Sequence, residues 1–175
     1  MSAAEYLSLV SLIVTVIIGI TGFGFTIYQI NKSNKAKRAE YSAELLRNIR
    51  LNERIIEATY MIDYGQNWYD STFHGGSENE KNIDALFSQL NFVCYLRKER
   101  LLTEKEFSVF KYELARVCYN HQCRAYLWNL YHWTNNQSSC TYLIDYLKTK
   151  LTGSELVHFE SKKKTDYPQY VNFQP

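Results

Sequence analysis

The chemistry-bearing side chains crowd most closely in "CYNHQC", residues 118–123, with His132 and Cys140 downstream. Tetrahedral zinc takes thiolate and imidazole ligands, commonly from cysteine pairs two to four residues apart. Cys118 and Cys123 have that spacing, with His121 between them. The surrounding pattern is helical, however. On a helix Cys118 and His121 share a face, while Cys123 points about 140° away from Cys118. No second pair at matching spacing follows, and a buried cysteine is a common core residue. A thiol nucleophile with its base can be drawn from Cys94 or Cys118 with His121. Four cysteines and four histidines allow many such pairs, so the combination has little specificity.

A second cluster surrounds His74, which Asp63, Asp70, Glu78, Glu80 and Asp84 flank across a loop. Carboxylates beside an imidazole suit acid–base work or a metal. The plainer reading is a polar connection leading into a helix N-terminus, where acidic residues are favoured. The chain has no Walker loop, no G-x-G-x-x-G, no G-x-S-x-G and no H-E-x-x-H. The sequence therefore assigns no catalytic, cofactor-binding or metal-ligating residue, and no cofactor.

The elements around these residues are clearer. From Tyr6 to Asn31, 26 positions rich in Val, Ile, Leu and Phe, there is no charged residue. A hydrocarbon core about 30 Å thick needs roughly 20 apolar residues as helix. Tyr6 and Tyr28 suit the two interfaces. A signal peptide fits less well: Glu5 but no Lys or Arg precedes the run, which is also too long. Lys32, Lys35, Lys37 and Arg38 follow directly. Basic flanks stay on the cytoplasmic side and meet anionic headgroups. The expectation is a single-pass protein of the inner cell membrane, with its N-terminus outside and residues 32–175 in the cytoplasm. Cys94, Cys118, Cys123 and Cys140 show no evident disulfide framework, as suits a reducing compartment. The net charge of +2 points to no nucleic-acid partner.

The span has a further pattern. At 100° per residue, Ser8, Ser11, Thr15, Gly19, Gly22 and Thr26 fall within an arc of roughly 80°. Helices in lipid associate through small residues and interhelical hydrogen bonds. This stripe is the expected contact with a second copy or a partner membrane helix.

Beyond the span, no Gly or Pro occurs between Gly24 and Gly65, and Leu45, Leu46, Ile49, Ile56 and Tyr60 recur at helical spacing. One long helix is expected, ending or kinking near Gly65. Arg47, Arg50 and Arg54 read as its solvated face. Gly75-Gly76 marks a loop, with Trp68, Tyr69 and Phe73 as anchors packed on the domain. A helix from about Asn79 to Arg100 buries Ile83, Leu86, Phe87, Leu90, Val93 and Cys94. Thr103 and Glu106 form a capping box ahead of Phe107, Phe110, Leu114 and Val117. The pattern runs on through Tyr126, Leu127, Leu130 and Trp133, with a possible break near Asn120. "NNQSS" is a loop, and Ser139 caps a last helix that Gly153 stops. No run alternates with period two. The fold class is all-α, with a transmembrane helix continuing toward a small bundle of four or five helices. The segments are 1–31 (outer N-terminus and anchor), 32–64 (basic stretch and long helix), 65–160 (bundle) and 161–175 (flexible tail).

The order "IDYGQNWYDSTFH", "IDALFSQLNFVCYLRKERLLTEKEFSVFKYELARV", "YLWNLYHW" and "YLIDYLK" resembles bacterial proteins of unknown function that have one N-terminal transmembrane helix and a cytoplasmic helical domain. The likeness covers most of residues 6–150 and rests on packing residues such as Asp63, Tyr64, Trp68, Leu90, Phe107 and Tyr126. It implies fold and topology and carries over no reaction. Some small membrane-anchored helical proteins of this kind sit near phage-defence genes. The reading favoured is a membrane-tethered interaction module that self-associates. The alternatives are a membrane-perturbing defence or stress effector, and a small hydrolase or metal enzyme using the His74 or His121 neighbourhood. An enzyme predicts a concave pocket holding several converging polar groups; a module predicts exposed aromatics with no such pocket.

Overall fold

The computed structural model describes residues 3–65, 67–70, 73–134 and 140–161, apart from the side chains of Glu5 and Leu9. The chain is all-α, and no strand occurs among the described residues. It divides into two compact units, Met1–Tyr41 and Ser42–Pro175. Helix α1 is a 49-residue element, Ala3–Leu51. Most of it makes up the first unit. Its apolar stretch is long enough to cross a membrane, and the described side chains along it are exposed.

The second unit takes the last turns of α1 and adds α2 (Glu53–Tyr64), α3 (Glu78–Lys98), α4 (Glu104–Phe107), a 3₁₀ turn (Ser108–Phe110), α5 (Lys111–Tyr119), α6 (His121–Trp133), α7 (Thr141–Lys148) and α8 (Gly153–Glu160). The most extensive pairings are α2 on α3 and α3 on α7, followed by α5 on α6. The expected stripe of α3 is buried in full: Ile83, Leu86, Phe87, Leu90, Val93 and Cys94 all enter the core. The anchors Tyr69 and Phe73 are buried there too, and Trp68 packs against them half-buried.

The helices are more numerous and shorter than expected because side-chain caps start new ones. The long helix breaks at Asn52, whose side chain accepts from the Arg54 N–H. That break shifts the buried phase. Leu45 and Ile49 face the core as expected, but Ile55, Ala58 and Ile62 follow them, and Tyr60 is exposed. Gly65 ends α2 by close approach: a Cβ there would collide with the Met61 carbonyl. In the loop, Gly75 and Gly76 adopt φ of 128° and 80°, which L side chains avoid. The Thr103–Glu106 capping box is present, and Phe107, Phe110, Leu114 and Val117 are buried at the expected spacing despite the 3₁₀ turn. Asn120 separates α5 from α6.

Gly153 corrects the expectation. It opens α8 instead of stopping α7, because Thr152 and Glu155 form a second capping box around it. Helix α8 buries Phe159. Its C-terminal backbone accepts from Trp128 Nε1 at Ser161 O (3.0 Å), and His132 Nε2 lies 2.9 Å from Phe159 O. Ser139 and the tail after Ser161 lie outside the described residues.

Asn120 is the most heavily used cap. Its Oδ1 accepts from Gln122 N and Cys123 N, and its Nδ2 donates to Ile62 O of α2. Asn120→Ala is expected to lower unfolding free energy by about 1–2 kcal/mol, measured by urea denaturation of the full chain. Asn120→Asp is expected to keep most of the capping while losing the donor to Ile62.

Candidate functional site

The cysteine–histidine cluster comes apart at Asn120. Cys118 ends up in α5, while His121 and Cys123 belong to α6. Cys118 and Cys123 are fully buried, and His121 is exposed. The face-sharing of Cys118 and His121 expected on one continuous helix does not arise. His132 is committed to the α8 backbone. Cys94, Cys118, Cys123 and Cys140 are free thiols, all buried. Burial pushes Cys94 up to about 12 and Cys118 up to about 11, and drives Cys123 well above its ordinary value. The thiolate is the reactive form, so these thiols are poor nucleophiles near neutral pH. Among the described residues no three His, Cys, Asp or Glu side chains converge as a metal site.

The His74 cluster does assemble in part. Ser77 caps α3, accepting from Glu80 N, and so places Glu80 under the loop. The Glu80 carboxylate lies 3.0 Å from His74 Nδ1 and accepts from Gly75 N and Gly76 N. His74 Nε2 lies 3.1 Å from the Tyr69 hydroxyl, which accepts from Asn129 Nδ2 at 2.7 Å. Tyr69 N donates to Gln122 Oε1. The His74 ring stacks on Tyr126, whose hydroxyl donates to Asp84. The structure thus brings Glu80 and Asp84 to His74. Glu78 instead pairs with Arg54 and Lys81, and Asp63 with Arg116.

A carboxylate accepts only, so His74 Nδ1 donates to Glu80. This is the order of groups in a base with its orienter. Here, though, the His74 side chain is 9% exposed, and its second nitrogen meets Tyr69 instead of an open cleft. The network ties the 65–77 loop to α3 and α6. Burial raises the Glu80 carboxyl, but the bonds from His74, Gly76 and Gly75 outweigh it and hold the group below its ordinary value. Burial wins at Asp84 and raises it, against the bond from Tyr126. Burial also raises Tyr126, with help from the charge of Asp84.

A concave site lies elsewhere, in a place the sequence did not mark. The last turn of α1 together with α2, α3 and α5 lines a groove of about 470 Å³. Ile56 contributes a half-buried apolar patch over the buried Ile49 and Leu86, Tyr60, Tyr64 and Tyr112 contribute exposed rings, and Arg50, Arg116, Asp63 and Glu113 contribute charge. Glu113 is buried and accepts from Arg116 Nη1 at 2.7 Å, and Arg116 Nε donates to Asp63 at 2.9 Å. Arg50, read as part of a solvated face, has its Nε 3.6 Å from Glu113. The Tyr60 and Tyr64 rings stack with centroids 5.8 Å apart, and Arg116 lies over Tyr112. The local signals were Tyr60–Tyr64 at i, i+4 and Glu113–Arg116 at i, i+3. Only tertiary packing joins them.

In the first unit Ser8, Ser11, Thr15, Gly19, Gly22 and Thr26 are all exposed on α1. Thr15 and Thr26 donate to the carbonyls of Ser11 and Gly22, so their protons are used within the helix. Lys32, Lys35, Lys37 and Arg38 are exposed on the same helix. No family model, curated protein or solved structure matches this chain.

Glu80 gives a pH test. Its folded value lies below the unfolded value near 4.5, so its contribution is present above that pH and is lost as pH falls through the folded value. Asp84 has the opposite sign. Its folded value lies above the unfolded value near 3.8, so its ionised form opposes folding. Glu80→Gln is expected to cost about 1–3 kcal/mol at neutral pH. In urea denaturation the cost should shrink at about pH 3.5. An equal cost at both pH values would assign it to shape, not charge.

Proposed function

We propose that the chain is a membrane-tethered helical interaction module: α1 anchors it in the bilayer and residues 42–161 form its working domain. The observation that carries this reading is the apolar stretch of α1, uncharged over 26 positions and with none of its surface buried. Apolar area leaving water gains about 25 cal/mol per Å², so side chains such as Leu12, Ile17, Ile18, Ile20 and Phe23, all exposed, favour lipid strongly. The basic set Lys32, Lys35, Lys37 and Arg38 favours a cytoplasmic C-terminal domain. Inert buried thiols and an imidazole consumed by loop packing support a binding role over catalysis. A membrane-perturbing effector would use the same apolar span and is the second reading.

Two experiments test the proposal. A tag at the C-terminus is expected to resist external protease in spheroplasts and to be digested after lysis, with the chain remaining in membranes after alkaline carbonate extraction. Extraction by carbonate, or digestion in intact spheroplasts, would refute anchor or orientation respectively. Self-association through the small-residue stripe is tested in membranes. Gly19→Ile should weaken it by about tenfold, since close packing drives helix pairing in lipid. Ile20→Leu, on another face, should leave it unchanged. Equal association in both variants and the parent would leave a simple anchor.

A further inference from the structure

The groove between the end of α1, α2 and α5 has a chemistry that tethering does not use. We propose that it binds a small aromatic carboxylate. Its volume of about 470 Å³ falls in the range of small-molecule sites. Ile56 offers a half-buried apolar patch over the buried Ile49 and Leu86, and Tyr60, Tyr64 and Tyr112 offer exposed ring faces and edges. Aromatic side chains favour another ring in offset or edge-on contact.

The charges decide the other end of the ligand. Arg116 is spent inside the protein, on Asp63 and Glu113. Arg50 is not. Its only ion pair among the described residues is with Glu113, at a distance beyond a hydrogen bond, and its side chain is 59% exposed. A guanidinium presents its N–H groups as a planar fork that matches a carboxylate. The four lining charges, Arg50, Arg116, Asp63 and Glu113, cancel. The lining therefore gives extra negative charges no net attraction, and the one short-range contact on offer, the Arg50 guanidinium, needs a single carboxylate. An apolar surface, three rings and one available guanidinium thus select a flat, apolar body with one carboxylate. This inference does not depend on where the N-terminal helix resides.

The test is calorimetric titration of the purified full chain in a mild non-ionic detergent, with heats into protein-free micelles subtracted. The probes are indole-3-acetate, its uncharged amide and plain acetate. Indole-3-acetate is expected to bind with a Kd of about 1 mM or tighter, and the amide and acetate about tenfold more weakly. Arg50→Gln should abolish the preference for acid over amide. Tyr64→Ala should weaken acid and amide alike. Both side chains are largely exposed, so the variants are expected to keep the parent's melting temperature. Equal binding of acid and amide to the parent, unaltered binding by Arg50→Gln, or no heat with any probe would overturn the proposal. So would loss of chain self-association in the two variants without any probe binding, which would assign the groove to a protein contact.

Discussion

A helix that buries none of its apolar surface must have that surface covered by something other than its own chain. This constraint governs α1. Over Tyr6–Asn31 the helix satisfies its own backbone hydrogen bonds, and Thr15, Thr21 and Thr26 return their hydroxyl protons to carbonyls three or four residues back. The three threonine hydroxyls in the run therefore make no demand on water, and the large apolar side chains around them avoid it. In the proposed reading lipid provides the cover. A spanning segment in lipid has to meet both conditions at once, because hydrocarbon offers neither donors nor acceptors.

The second unit applies the same rule to its polar groups by pairing them internally. Glu80 collects His74 and two loop N–H groups, Glu113 collects Arg116, and Asp84 collects Tyr126. Glu80 holds the loop on α3 and Asp84 joins α6 to α3, while the buried Glu113 pairs within α5 with Arg116, which in turn reaches Asp63 of α2. This explains why residues with catalytic types show no catalytic arrangement. A buried charge without such partners costs several kcal/mol, so these groups have been committed to the fold. Arg50 and the exposed tyrosines of the groove are the contrast, since packing does not require them where they are.

The sequence was readable where the signal was local and repeated. The α3 stripe from Ile83 to Cys94 recurs over several turns, and Thr103–Glu106 is a reciprocal pair three residues apart. A break near Asn120 is legible in the sequence, but the one at Asn52 is not: a single asparagine cap has no partner residue to announce it, and helical apolar spacing continues on both sides. Thr152–Glu155 carries the same signature as Thr103–Glu106 but encloses Gly153, whose reputation as a terminator obscured it. Of the His74 network, Glu80 is six residues away and was readable as a neighbour. Tyr69 reads as a packing anchor, and Asn129, 55 residues on, enters only through the packing of α6. The groove draws Arg50, Tyr64 and Arg116 from three helices, so no window of sequence contains it.

The central claim is that α1 crosses a bilayer, and depth measurement along it is the most direct check. Nitroxide labels placed singly from Leu7 to Ile30, with the four native thiols buried, report oxygen against a water-soluble nickel complex in vesicles. The account predicts the ratio of oxygen to nickel accessibility, in which side-chain packing cancels, rising to one maximum near Ile18 and falling toward both ends. A helix lying along the surface would give oscillation with a period of 3.6 residues. That oscillation, or uniform access to nickel, would contradict the account.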